Sequence, residues 1–172
     1  MQYTVDQSHS EVGFSVRHMG ITSVKGSFTQ FQGKIEMDGG ALKGMEADID
    51  AASIHTRDAQ RDQHLRSADF FDVDNHPRLI FKSTKVEALG QNRYRVTGDL
   101  TMRGVTKPVV LNVETTPETK DPWGKNRIGF SATGELDRKE WGLRWNTILE
   151  AGGLLVGDRV QILIEGEAIA EG

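Results

Sequence analysis

The residues best suited to bind a ligand lie in the block 64–83, which reads HLRSADFFDVDNHPRLIFKS. An aromatic pair, Phe70 and Phe71, follows a short polar segment and lies near Arg61 and Arg66 in the sequence. Phenylalanine rings offer a large apolar surface, whereas a guanidinium group binds anions through its planar array of donors. This combination favours a ligand with an apolar body and a polar or anionic end.

Catalysis and metal binding need residue spacings that this chain lacks. The segment with Asp6, Ser8 and His9 contains the residue types of a hydrolytic triad, but their adjacency in one segment is no evidence for one. The histidines form no His-x-x-x-His pair or other tight ligand spacing, and they are His9, His18, His55, His64 and His76. We therefore predict no catalytic residues, no metal site and no cofactor other than a bound ligand.

Composition limits the remaining classes of function. The chain has 172 residues, 37% hydrophobic content and no cysteine, which fits a single domain over residues 1–172 without disulfides. Its net charge of -4 argues against nucleic acid as a partner, because a duplex-binding surface is normally basic. No apolar stretch approaches the ~20 residues that span a bilayer. The N-terminus shows no secretory leader, which predicts a cytoplasmic protein, or a periplasmic or secreted one if a leader was removed.

The elements that must position these residues are predicted to be strands. Val12, Phe14, Val16 and His18 alternate with more polar residues, which is typical of a strand with one face buried. Similar alternation recurs along the chain and predicts about eight or nine strands at hairpin-like intervals. Pro108 is predicted to open one strand, and a glycine-rich connection at 152–158 is predicted to precede the last.

One segment departs from this pattern and is predicted to be the only helix. Residues 57–67 show no alternation and are rich in helix formers, and Thr56 is a candidate N-cap. Arg57 and Arg61 alternate there with Asp58 and Asp62 at helical spacing, so this face is either a solvated surface or part of a site.

Consecutive antiparallel strands in a small domain remove their exposed edges by closing into a barrel. We predict an all-β fold, an extended barrel of eight antiparallel strands. Several residues predicted to face inward are small, and they either leave room for a slender ligand or mark bulges and corners of the strands. These residues are Gly26, Ala47, Ala51, Gly98, Ala132 and Gly134.

Four segments, in this order, resemble the YceI-like, polyisoprenoid-binding family. They are Asp6-x-x-His9-Ser10-x-Val12-x-Phe14-x-Val16-x-His18, Arg61-Asp62-x-His64-Leu65-Arg66-Ser67-x-Asp69-Phe70-Phe71-Asp72, Gly98-Asp99-Leu100-Thr101-x-x-Gly104-Val105-Thr106-Lys107-Pro108-Val109, and Gly129-Phe130 followed by Arg138-x-x-Trp141-Gly142-Leu143. The resemblance implies a lipocalin-like barrel that holds a long isoprenoid chain inside it. It also implies that a homodimer is possible and that many relatives are periplasmic.

The resemblance and the residue pattern together give a set of candidate ligand-binding residues. Aromatic and flexible apolar side chains would form the wall, although each also fits an ordinary core position. Arginine and histidine side chains near the helix would contact the head group of an isoprenoid quinone or isoprenoid phosphate. The candidates are Phe14, Val16, His18, Met19, Phe28, Ile49, His55, Arg61, His64, Arg66, Phe70, Phe71, Phe81, Met102, Phe130, Trp141 and Trp145.

The sequence thus favours non-catalytic binding, storage or transport of a long-chain polyisoprenoid or similar lipid. Two alternatives remain open: an enzyme that acts on a lipid substrate, and a structural or interaction domain whose barrel is filled by its own side chains.

Overall fold

The computed structural model of the chain describes residues 1–147 and 155–172. Residues 148–154, which include part of the glycine-rich connection predicted at 152–158, lie outside the described ranges. The end of that predicted connection is wrong, because the last strand already begins at Val156. Strands dominate the described part. They are β1 Gln2–Val5, β2 Glu11–His18, β3 Thr22–Phe28, β4 Phe31–Asp38, β5 Ala41–Asp50, β6 Ile54–His55, β7 Arg78–Gly90, β8 Arg93–Met102, β9 Val105–Thr115, β10 Thr119–Lys120, β11 Asn126–Asp137 and β12 Val156–Ala170.

One α-helix, α1 at Ala59–Arg66, is present in the described part of the chain. Three short 3₁₀ turns, at Gln7–His9, Ala51–Ser53 and Arg138–Trp141, connect strands. Among the described residues, no helix has the length and apolar character needed to cross a membrane.

The strands close into the predicted antiparallel barrel. Eight of them form a ring in the order β11-β9-β8-β7-β5-β4-β1-β12, and β12 pairs with β11 to complete it. The alternation that predicted the strands also decides which side chains face inward. In β4, for example, the odd-numbered residues from Phe31 to Met37 are buried and the even-numbered residues are exposed.

The last strand links the ring to a second group of strands. Near its C-terminus β12 pairs with β1, where Tyr3 lies opposite Ala170. Nearer its N-terminus β12 pairs with β2, where Val16 lies opposite Val160, and β3 and β6 follow β2. At this end the barrel wall is therefore extended by the β2–β3 hairpin, and α1 follows directly after β6.

The predicted helix is present, but its N-cap is not Thr56. The carboxylate of Asp58 accepts hydrogen bonds from the backbone N–H groups of Gln60 and Arg61, both at 3.1 Å, so Asp58 caps the helix. The Thr56 hydroxyl donates instead to the buried carboxylate of Asp62. The sequence missed this because both residues are good caps and only the tertiary structure selects between them.

The strand predicted to open at Pro108 begins earlier. Arg103 and Gly104 form the preceding turn with φ values of 51° and 74°, and β9 starts at Val105. Pro108 lies inside β9 opposite Asp99, on the exposed face. The glycine and the residue before it supply the positive φ angles of a tight hairpin turn, which shortens the connection to two residues.

Candidate functional site

A cavity of about 380 Å³ lies inside the barrel, and most of its wall is apolar. Residues of β2, β3, β4, β5, β7, β8, β9, β11 and β12 line it, together with residues of α1 and the segment that follows α1. Ligand pockets in proteins typically have volumes of ~300–1,000 Å³ and are lined mainly by apolar and aromatic side chains. The cavity therefore has the size and the wall of a ligand site.

Most of the candidate residues lie in this wall. Their side chains come from strands on different sides of the barrel, from α1 and from the segments that follow α1 and β11. They are Phe14, Val16, His18, Phe28, Ile49, Arg61, His64, Phe70, Phe71, Phe81, Met102, Phe130 and Trp145.

The predicted aromatic pair is divided between two ring clusters. Phe71 packs edge-on against Phe28, with the ring centroids 5.8 Å apart, and Phe28 also contacts Phe14 at 5.8 Å. Phe70 belongs to the other cluster, with centroid distances of 5.2 Å to His64 and 5.5 Å to Trp145. Such tilted and edge-on contacts are favourable for aromatic rings and hold these side chains in fixed positions.

The inward glycines do not provide the free volume that their size suggests. A Cβ at Gly26 would lie 2.4 Å from Cζ of Phe14, and one at Gly98 would lie 2.4 Å from Cζ of Phe81. Aromatic rings thus occupy the space beside these glycines. The alanines differ, because Ala47 and Ala132 line the cavity directly. The glycines thus make room for neighbouring aromatic rings, whereas the alanines border the cavity.

Arg61 is a cationic group of the cavity wall that Thr56 holds in place. Its Nε donates to the Thr56 hydroxyl at 2.8 Å, and its Nη2 donates to the Thr56 carbonyl at 2.7 Å. Thr56 is itself fixed, because its N–H and hydroxyl both donate to the buried Asp62 carboxylate. Asp62 is 4% exposed and so is not part of a solvated helix face, whereas Arg57 and Asp58 are exposed and Arg61 is half-buried.

Arg138 also lines the cavity, although the sequence analysis did not select it. It is 4% exposed, and its guanidinium donates to the carbonyl groups of Leu143, Gly157 and Trp145 at 2.6, 2.9 and 3.0 Å. Burial lowers the pKa of Arg138. A signal was present in the sequence: Arg138 continues the inward alternation of β11, two residues after Leu136.

Two of the candidates for the head group lie outside the cavity wall. Arg66 donates from Nε to the carbonyl of Ala52 at 2.9 Å, so its guanidinium is used to anchor the helix. His55 is exposed, and its Nδ1 lies 3.7 Å from a carboxylate oxygen of Asp62. Both residues are close to Arg61 in sequence, but His55 lies in β6 on the exposed side and Arg66 at the end of α1 is turned toward Ala52.

Two of the apolar candidates also lie outside the wall. Trp141 is 1% exposed and donates from its indole N–H to the carbonyl of Leu100 at 2.9 Å, so it belongs to the surrounding core. Met19 is 41% exposed in the turn after β2, with a positive φ of 54°. Their apolar character predicted burial in general but could not distinguish cavity wall, core and surface.

The segment with Asp6, Ser8 and His9 has the wrong geometry for a catalytic triad. Asp6 and Ser8 both contact Nδ1 of His9, at 2.9 and 3.1 Å, whereas a proton relay needs one partner on each ring nitrogen. Asp6, His9 and Glu167 also lie close enough to share a metal ion. However, Arg127 donates to Asp6 at 2.8 Å and to Glu167 at 3.2 Å, so a guanidinium already occupies oxygen atoms of both carboxylates that a metal ion would need.

Comparison with known sequences places the chain among bacterial relatives. It is 42% identical over 138 residues to a UPF0312 protein of Photorhabdus laumondii, covering 79% of this chain and 71% of that protein. It is 38% identical over 146 residues to a UPF0312 protein of Vibrio cholerae, covering 83% and 77% respectively.

Solved structures share the fold over nearly the whole chain. The Campylobacter jejuni YceI protein matches with a TM-score of 0.78 and 32% identity, covering 98% of this chain and 97% of that one. Burkholderia cenocepacia BcnA matches with a TM-score of 0.82 and 22% identity, covering 97% and 99%. A polyisoprenoid-binding domain from Saccharophagus degradans matches with a TM-score of 0.72 and 17% identity, covering 98% of both chains. The family model of the YceI-like domain matches residues 3–168, and the protein therefore belongs to the YceI-like family.

Proposed function

We propose that this protein binds a long polyisoprenoid lipid non-covalently inside the barrel and serves in its storage or transport. The observation that carries this proposal is the apolar cavity of about 380 Å³ enclosed by the strands. The binding of polyisoprenoids by a domain of the same fold in Saccharophagus degradans supports the choice of ligand.

The cavity supplies a sufficient driving force for such a ligand. Each CH₂ group removed from water contributes about 0.8 kcal/mol, so a tail of several isoprene units gains ~10 kcal/mol before the costs of association and ordering. The aromatic clusters around Phe28 and Phe70 would pack against the methyl-branched tail. No covalent step is required for this function, because burial of the tail alone stabilises the complex.

Native mass spectrometry of the purified protein tests whether a lipid is present. We expect a stoichiometric adduct that denaturation releases, and lipid analysis would identify it as an isoprenoid. A clean apo mass that is unchanged after incubation with isoprenoid quinones and phosphates would contradict the proposal. It would favour the alternative of a barrel with only a structural or interaction role.

A pair of neighbouring substitutions tests whether the lipid lies in the cavity. Ile162 faces the cavity from β12, whereas Leu163 is the next residue and is 48% exposed on the outer face. Ile162→Trp should fill cavity volume and weaken binding of an isoprenoid probe about tenfold or more, which corresponds to about 1.4 kcal/mol or more. Leu163→Trp is the matched control and should bind like the wild type. Equal binding by both folded variants would place the lipid elsewhere.

A further inference from the structure

The turn between β2 and β3 exposes two large apolar side chains. Met19 is 41% exposed and Ile21 is 70% exposed. Hydrogen bonds fix the turn: the N–H of Ile21 donates to the carbonyl of His18 at 3.0 Å, and Nη2 of Arg17 donates to the carbonyl of Ile21 at 3.2 Å. The two apolar side chains are therefore held on a defined hairpin tip, residues 17–25, which we call the β2–β3 tip.

The backbone of Met19 has a conformation that disfavours methionine. Its φ is 54°, and the next residue, Gly20, has a φ of 68°. Glycine and asparagine are preferred at positive φ, because the Cβ of most other residues lies too close to the backbone there. The exposed methionine thus costs stability at this turn and is only partly buried by the rest of the protein. Burial of its side chain against a partner would explain why an apolar residue occupies the position.

The β2–β3 tip lies at one end of the cavity. Arg17, His18 and Val24 of the tip line the cavity. Leu155 also lines it, and the carbonyl of Leu155 accepts a hydrogen bond from the N–H of Met19 at 2.8 Å. Because Arg17 is exposed, the cavity approaches the protein surface beside the tip. A partner bound to the tip would therefore lie next to the cavity.

The tip is positively charged, although the net charge of the protein is -4. Residues 12–28 contain Arg17 and Lys25 but no aspartate or glutamate. Asp158 lies in the β12 bulge opposite β2, and its carboxylate pairs with Lys139 at 2.9 Å. An exposed apolar segment flanked by cations is the combination that binds anionic membrane surfaces.

We propose that the β2–β3 tip docks on a membrane surface that contains anionic lipids and places the end of the cavity against the bilayer. Met19 and Ile21 enter the boundary between head groups and acyl chains, and Arg17 and Lys25 contact anionic head groups. This inference goes beyond the proposed function, which concerns only what the cavity holds. Docking would bring the cavity to the bilayer from which a lipid is taken or to which it is delivered, and the two activities can be measured separately.

Co-sedimentation with vesicles tests the docking. The purified full-length chain is mixed with vesicles of phosphatidylcholine alone and with vesicles of equal parts phosphatidylcholine and phosphatidylglycerol. The wild type should bind the anionic vesicles more strongly than the neutral ones. The difference should shrink at high salt, because salt screens the attraction between exposed charges and the membrane surface.

Substitutions in the tip separate its apolar and cationic contributions. Ile21→Ser should weaken binding to both kinds of vesicle about tenfold, because an apolar side chain no longer enters the bilayer. Val110→Ser is the matched control, since Val110 is 47% exposed on the outer face of β9, and it should bind like the wild type. Lys25→Gln should weaken binding to the anionic vesicles about fivefold and leave binding to the neutral ones unchanged.

Met19→Asn distinguishes docking from stability. Asparagine tolerates a positive φ better than methionine does, so the free energy of unfolding should stay equal or rise. Binding to vesicles should nevertheless fall about tenfold, because the apolar side chain is lost. A merely structural role of Met19 predicts the opposite, namely unchanged binding to vesicles by a variant that folds at least as well.

Three results would overturn docking by the tip. The first is absence of vesicle binding by the wild type, or unchanged binding by Ile21→Ser and Met19→Asn. The second is loss of binding in Trp123→Ser instead, because the exposed Trp123 lies in the β10–β11 turn at the other end of the barrel. The third is a concentration-dependent dimer that does not bind vesicles and that Ile21→Ser disrupts, which would assign the tip to a second copy of this chain.

Native mass spectrometry of the same samples keeps this inference separate from the proposed function. Ile21→Ser and Met19→Asn should retain the lipid adduct of the wild type while they lose vesicle binding. An adduct without vesicle binding by the wild type would overturn the docking alone. Vesicle binding without any adduct would contradict the proposed function alone.

Discussion

The two ends of β11 each contain an arginine with several hydrogen bonds, but the acceptors differ in charge. At the first end, Arg127 is surrounded by carboxylates: it donates to Asp121 at 2.7 Å, to Asp6 at 2.8 Å and to Glu167 at 3.2 Å. Just beyond the other end, Arg138 is surrounded by backbone carbonyl groups. The same residue type therefore donates to carboxylates at one end of β11 and to backbone carbonyl groups just beyond the other.

The surroundings of the two arginines shift their pKa values in opposite directions. Its hydrogen bonds to Asp121 and Asp6 raise the pKa of Arg127, and the Arg127 guanidinium holds the pKa of the Asp6 carboxyl below its ordinary value. At the other end, burial lowers the pKa of Arg138. Arg127 thus joins strand ends through ion pairs, whereas Arg138 holds the segment after β11 against the start of β12 through hydrogen bonds to carbonyl groups.

The largest expected effect is that of Arg138→Met on stability. Removing the guanidinium leaves the carbonyl groups of Leu143, Trp145 and Gly157 without their donor, and hydrogen bonds to charged groups contribute about 1.5–3 kcal/mol each. We expect the free energy of unfolding, measured in urea, to fall by about 3 kcal/mol or more.

Arg159→Met is the control for this substitution. Arg159 is 78% exposed and pairs with Glu135 on the surface, so its loss should lower the free energy of unfolding far less than the loss of Arg138. Equal effects of the two substitutions would show that the carbonyl groups around Arg138 find other partners.

A smaller effect with a distinct pH dependence is expected for Arg127→Met. Without the guanidinium, the carboxylates of Asp6, Asp121 and Glu167 repel one another while they are ionised. The folded-state pKa of Asp6 is lowered, so its stabilising contribution is present above its unfolded pKa of about 4 and is lost as the pH falls through the folded value. The difference between wild type and variant should therefore shrink on acidification below about pH 4.

Urea unfolding at neutral and acidic pH measures this dependence. The destabilisation by Arg138→Met should remain nearly constant over the same range, because carbonyl acceptors do not titrate. If both variants showed the same pH dependence, the distinction between the two ends would not hold.

The smallest expected effect concerns Tyr3, near the end of the barrel that contains Arg127. Burial, together with a hydrogen bond to Glu118, raises the pKa of Tyr3 to about 12. Because the folded value lies above the ordinary value of about 10, the contribution of Tyr3 to stability is full below pH ~10 and is lost as the pH rises through about 12. Tyr3→Phe should make the alkaline loss of stability less steep.

Tyr94→Phe serves as the control, since it removes another buried phenol and leaves Tyr3 in place. Between neutral and alkaline pH, the free energy of unfolding of Tyr94→Phe should fall with rising pH as steeply as that of the wild type. If Tyr94→Phe weakened this pH dependence as much as Tyr3→Phe, the loss of stability at alkaline pH would not come specifically from Tyr3.

The sequence predicted the strands and the helix well, but it did not predict the partners of polar side chains. The alternation from Val12 to His18 corresponds to β2, and the segment without alternation contains α1. By contrast, Asp58 caps the helix instead of Thr56, because the hydroxyl of Thr56 donates to the carboxylate of Asp62. Alternation depends on neighbours along the chain, whereas a hydrogen bond also depends on what the fold brings near.

The amino-acid sequence by itself determined which residues face the interior of the barrel. A strand places successive side chains on opposite faces, so Phe14, Phe28, Phe81 and Phe130 were assigned to the interior by their parity alone. Their positions around one cavity required only that the strands close into a ring, which antiparallel strands do to remove exposed edges.

Only the tertiary structure decided which cations border that cavity. Arg61 and Arg66 lie on the same short helix, yet Arg61 is held in the wall by Thr56 and Arg66 is directed to the carbonyl of Ala52. Arg138 acquires its surroundings from Gly157, which is 19 positions away in the sequence. The direction of a long polar side chain depends on which acceptors the fold places within its reach, and the spacing of residues along the chain does not decide between the near acceptor of Arg61 and the more distant acceptor of Arg66.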